Sequence, residues 1–101
     1  MPYIHSERRL PYDKLTDTIL RRLNTEFFND AQGDLCYCVY RLMLGLSELH
    51  GERWYVKNQV KAAVQAAVDE FHDRQIRPHE DLAIEKNGDV TIGAEAVGRL
   101  P

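Results

Sequence analysis

The chain is poor in most of the features that advertise a function. It has two cysteines, Cys36 and Cys38, among 101 residues. One intervening residue makes neither a zinc knuckle nor a thiol redox motif, both of which use wider spacing. On a helix the two would point about 200° apart, and they are expected to be reduced, buried, small apolar side chains. No glycine-rich phosphate loop is present, because Gly88 and Gly93 are sparse and follow no strand-to-helix pattern. There is no nucleophile elbow, and no cysteine sits beside a histidine. Asn87-Gly88-Asp89 has the flavour of a calcium loop but lacks the spaced acidic ligands on either side. A basic excess is missing too. The formal net charge is −3, without the positive footprint of a nucleic-acid binder. No apolar run approaches the roughly 20 residues that span a bilayer. MPYIHSERRL has no apolar centre of a secretion signal. These absences point to a cytoplasmic protein with no cofactor, no nucleic-acid partner and no membrane contact.

What is present is helical patterning. The length suits a single domain over 1–101. A chain of this size buries only about two thirds of its unfolded surface, so oligomerisation would be a natural source of further stability. Tyr12, Leu15, Ile19, Leu23 and Phe27 form a four-residue stripe that predicts a helix over about 12–28, with Pro11 in its first turn. Asn29, Asp30 and Gly33 mark a break. Asp34 is a plausible N-cap for a second helix over about 34–49, with His50 and Gly51 as its stop. LCYCVYRLMLGL within it is apolar almost all round, which predicts a central helix contacted from several sides. Arg41 is its one charge, read as a snorkelling or paired side chain or, alternatively, as an anion-binding residue.

A third, long helix is expected over about 56–76. Val56, Val60, Ala63, Val64, Ala67, Val68 and Phe71 share one face, and its alanines permit close approach by a neighbouring helix or a second copy. Trp54 and Tyr55 stand at its start as a hydrophobic lid or an interface anchor. Pro78 is expected to end it. Beyond it Leu82 alternates with Ile84, and Val90 with Ile92, around Asn87-Gly88. That pattern predicts a β-hairpin over about 82–92. Register favours a three-residue loop with Gly88 left-handed, which places the four apolar residues on one face. Tyr3-Ile4 is a candidate edge strand. The expected fold is therefore mainly α, of the α+β class: three helices with a short C-terminal β-hairpin, joined by an N-terminal strand.

Three constellations are candidates for function. Trp54, Tyr55, Ala63 and Ala67 suit a protein interface, with a homodimer favoured. Tyr37, Arg41, Arg74 and Arg77 suit a pocket for a phosphate-bearing ligand of nucleotide type, because arginine forks make bidentate contacts. His72, His79, Glu80 and Asp81 offer metal ligands, but their spacing matches no metalloprotease helix. Glu80 and Asp81 are adjacent, so in a strand they cannot both face one scissile bond. A solvated, charge-paired junction is the plainer reading of that cluster.

MPYI at the start, GDLCYCVYRLML in the second helix and EFHDRQIRPHEDLAIEKNGDV at the exit resemble a small uncharacterised family found in phages, prophages and metagenomic sequences. Its members typically read EFYRR, PYED and ENGDV in the last segment, where this chain has His72 and His79 in place of tyrosines. The resemblance implies a small intracellular accessory protein of a mobile element, with no assigned activity. The leading expectation is a non-enzymatic binding protein, acting through a host protein or its own oligomer and including a counter-defence role. The alternatives are a sequestering binder of a nucleotide-type signalling ligand and a small metal-dependent hydrolase.

Overall fold

The computed structural model describes residues 2–24 and 26–99. The chain falls into two compact units, one through Val68 and one from Asp69. The first holds helix α1 (Ser6–Leu23), helix α2 (Phe28–Leu49) and most of helix α3 (Trp54–Phe71). The second holds a π-helical turn (His72–Ile76), helix α4 (Arg77–Asn87) and the short helix α5 (Ala94–Gly98). No strand occurs among the described residues.

In the first unit α1 starts six residues earlier than its stripe suggested. His5 caps it, accepting the Glu7 N–H at Nδ1. Pro11 consequently lies inside the helix, not in its first turn. The N–H it lacks would have reached the carbonyl of Glu7, which lies in an exposed first turn and stays open to water. The helix ends at Asn24, whose N–H still reaches the Leu20 carbonyl at 3.0 Å.

Helix α1 ends at Leu23 and α2 begins at Phe28, so Asn29, Asp30 and Gly33 do not mark the break. Asn29 and Asp30 belong to the first turn of α2, where the Asp30 carboxylate complements the helix dipole. Gly33 and Asp34 are interior helical residues, so Asp34 is not the cap. A glycine there costs about 1 kcal/mol relative to alanine, which a 22-residue helix tolerates.

The stop at His50-Gly51 is present and complete. Gly51 takes φ 93°, its N–H reaches the Glu48 carbonyl, and the Glu52 N–H reaches back to the Ser47 carbonyl at 2.9 Å. These are the paired bonds of a Schellman turn, and they satisfy the carbonyls that a helix end leaves open. Directly beyond it, α3 buries Val56 and Val60 at 8% exposure each, and Ser47 of α2 is buried with them. The Ser47 hydroxyl donates to the Met43 carbonyl at 2.8 Å, so it is buried without an orphaned polar group.

That is the whole buried core among the described residues. Helix α2 is apolar almost all round but is not central. Tyr37, Tyr40, Leu42, Leu44 and Leu49 are exposed on it, and so are Cys36 and Arg41. Ile19 and Leu23 of α1 are half-buried near Cys38, while Leu15 is 61% exposed. One chain supplies too few apolar faces to surround α2.

The second unit overturns the expected hairpin. Pro78 begins a helix instead of ending one. It sits in the first turn of α4, where a missing N–H costs nothing. The π turn ahead of it closes with the Arg77 N–H on the His72 carbonyl, five residues back. This widened turn absorbs the proline ring that would crowd a tighter helix. Leu82, Ala83, Ile84, Glu85 and Lys86 then continue as helix. Their short alternation fits either structure, and helix-forming neighbours decide it. Asn87-Gly88, read as a hairpin turn, is the end of α4. Gly88 adopts φ 86°, and its N–H meets the Ile84 carbonyl at 2.7 Å. Val90 and Ile92 follow in non-helical chain, 91% and 68% exposed, with no strand to pair with. Tyr3 and Ile4 form no strand either.

Gly88 at φ 86° and ψ 151° occupies backbone space that essentially only glycine visits. Gly88→Ala is expected to lower stability by about 1–3 kcal/mol and to fray the end of α4. Urea unfolding and amide exchange at residues 84–88 check this. No change in either would contradict the cap.

Candidate functional site

Helix α3 and the π turn place the polar cluster of the second unit along consecutive helical turns. Glu70 and Arg74 pair through Oε1 and Nε, and Asp73 and Arg77 approach to 3.5 Å. Both are acid-before-base pairs four residues apart, the favourable order on a helix. His72 stands between two carboxylates, with Nε2 2.9 Å from Glu80 Oε1 and Nδ1 3.7 Å from Asp73 Oδ1. The Glu80 contact spans eight residues and ties the π turn to α4.

Of the four candidate metal ligands, the structure brings His72 and Glu80 together and leaves His79 and Asp81 exposed elsewhere on α4. Among the described residues no three His, Cys, Asp or Glu side chains converge as a metal would require. All the contacts in the cluster are exposed, so the arrangement is that of a charge-paired junction.

The four candidate anion-binding residues divide between the two units. Tyr37 and Arg41 lie exposed on α2, whereas Arg74 and Arg77 belong to the second unit, each engaged with a carboxylate. Arg41 borders an apolar groove of the first unit, shared with Tyr12, Leu42, Leu46 and Leu49.

The candidate interface residues lie at and near the surface of α3. Trp54 is 79% exposed and Tyr55 50% exposed, and Ala63 and Ala67 are exposed as well. The Arg53 guanidinium stands 6.0 Å from the Tyr55 ring, at the outer limit of a cation–π contact. Tyr55 and Ala63 also border a second groove with Leu46 and His50, floored by the buried Val56 and Val60. This open seam lies where α2 and α3 meet.

The main surface feature that the sequence left unmarked is on α2. Leu35, Val39, Leu42, Leu46 and Leu49 follow one another at alternate steps of four and three. That is the heptad spacing of a helix–helix seam. Cys36, Tyr37, Tyr40 and Leu44 fill the other faces with apolar residues and hide the row in a periodicity count. The step pattern itself was the available signal.

No helix among the described residues is long and apolar enough to cross a membrane. The family model of a domain of unknown function, DUF6899, matches residues 1–90. No curated protein and no solved structure matches the chain.

The His72–Glu80 contact ties the π turn to α4 across eight residues, and it is exposed. A double-mutant cycle of His72→Ala and Glu80→Ala is expected to give a coupling of about 0.2–1 kcal/mol in thermal unfolding. A coupling well above that range would mark the pair as more than a surface junction.

Proposed function

We propose that this chain, which belongs to the DUF6899 family, is a non-enzymatic binding protein that works through stable association with a protein surface, a host protein or its own oligomer. The observation that supports this is the mismatch between apolar faces and apolar burial. Among the described residues Val56 and Val60 are the only buried large apolar side chains, while Leu42, Leu49, Phe28 and Trp54 are each more than 65% exposed.

Burying one such side chain is worth about 1.5–3 kcal/mol. Leaving four of them in water forgoes on the order of 10 kcal/mol, as much as the whole stability of an ordinary domain. Helices of this length are marginal alone and take most of their stability from packing. Association supplies the packing that one chain lacks. The exposed Trp54, Tyr55, Ala63 and Ala67 suit such a contact, because aromatic anchors and small neighbours are what interface centres use. The mobile-element context implied by the sequence resemblance fits this reading, with the cytoplasm of a host as the place of action and counter-defence as the purpose.

Apparent stability that depends on association rises with protein concentration. The melting temperature of the purified chain is expected to climb by several degrees across a hundredfold concentration range, with a solution mass above that of one chain. A strict monomer with a cooperative, concentration-independent transition and no binding of a hydrophobic-surface dye would overturn the proposal.

A further inference from the structure

We infer that the row Leu35, Val39, Leu42, Leu46 and Leu49 on α2 is a homodimer seam, packed antiparallel against the same row of a second copy. This rests on the association reading above and names the partner and the face.

The first ground is exposure. Leu35, Leu42, Leu46 and Leu49 are 52%, 67%, 46% and 82% exposed, although they repeat at the spacing of a helix–helix contact. Tyr12 of α1 borders an open groove with Leu42, Leu46 and Leu49, and Tyr55 of α3 borders another with Leu46.

The second ground is self-complementarity. A two-fold axis across the row near Tyr40 and Arg41 sets Leu35 against Leu46 of the second copy and Val39 against its Leu42. The reverse pairs follow by symmetry, so these four close on apolar partners, and Leu49 lies opposite Gln32 at the end of the row. A closed, isologous contact needs this kind of match.

The third ground is charge and size. No charged residue stands on the row or its shoulders. The shoulders carry Ala31, Cys38 and Gly45 on one side and Cys36 and Met43 on the other. Apart from its own turn of helix, nothing among the described residues comes within 4 Å of the place a Gly45 side chain would take, so a neighbouring helix has room there. Asp34, Arg41 and Glu48 lie one step further round, at positions that stay in water in a two-helix seam.

The fourth ground is area. The four leucines, with Phe28 and Tyr12 beside them, leave on the order of 700 Å² per chain uncovered, against about 800 Å² per partner in an ordinary stable interface. The groove edged by Tyr12, with Arg41 and Glu48 at its outer side, lies beside the row at the Leu49 end.

The test is sedimentation equilibrium of the full chain, with two charge variants. The wild type is expected at twice the chain mass, and Leu42→Glu is expected to weaken dimerisation at least 100-fold. Mixing Leu42→Glu with Val39→Lys should restore a dimer and its helical signal, because the antiparallel register sets residue 42 of one copy against residue 39 of the other. This rescue also covers the case in which Leu42→Glu alone does not fold. A wild-type oligomer indifferent to Leu42→Glu would overturn the seam and leave the association reading standing. A stable wild-type monomer would overturn the seam, and if that monomer also bound no hydrophobic-surface dye the association reading would fall with it. Rescue by Leu42→Lys and not by Val39→Lys would overturn the antiparallel register, and loss of the dimer with no rescue by either would overturn the seam.

Discussion

The structure depends on the burial of Val56 and Val60 beside the capped end of α2. The Schellman turn at Gly51 brings the chain round, and the Ser47 hydroxyl satisfies itself on the Met43 carbonyl so that it can be buried there. Two valines supply about 3–6 kcal/mol of burial. That amount locates a helix pair but does not complete a domain. The remaining apolar residues of the first unit are arranged as faces whose second side is missing.

The sequence made the helices legible where period and capping agreed. The stop at His50-Gly51 was readable because it needs a glycine with positive φ directly after an apolar run. The valine face of α3 was readable because Val56, Val60 and Val64 keep a four-residue step, and the first two are buried as expected. Starts were less legible. Polar residues that suit a turn, such as Asn29, Asp30 and Asp34, suit a helix's first turns equally well. The C-terminal hairpin failed for a local reason. Leu82 and Ile84 are one alternation long, Pro78 is as welcome at a helix start as after a helix end, and Asn-Gly closes a helix as readily as it turns a hairpin.

The candidate sites were legible in part. Sequence spacing could pair Glu70 with Arg74 and Asp73 with Arg77, because four residues on a helix are neighbours. It could not bring His72 to Glu80, since that contact depends on the π turn absorbing Pro78. Arg41 was legible as the one charge in the apolar run of α2, but its exposure was not, because the all-round apolar composition pointed to a buried helix. Composition reports how much apolar surface a helix has. It does not report whether the same chain covers it.

The sparse burial has a kinetic side. Nearly every contact in the chain is local, within a helix or between neighbours in sequence. Helices form in about a microsecond and short loops close faster still. Chains built from local contacts meet little delay from their own topology. On the proposed association, the slow event is then the encounter with another surface, and that encounter is second order. Between synthesis and encounter the exposed leucines and aromatics are open to proteases and to nonspecific contact. On the proposed self-association, the lifetime of each copy would be set by how many others surround it, so the protein would persist where it is abundant and be cleared where it is scarce.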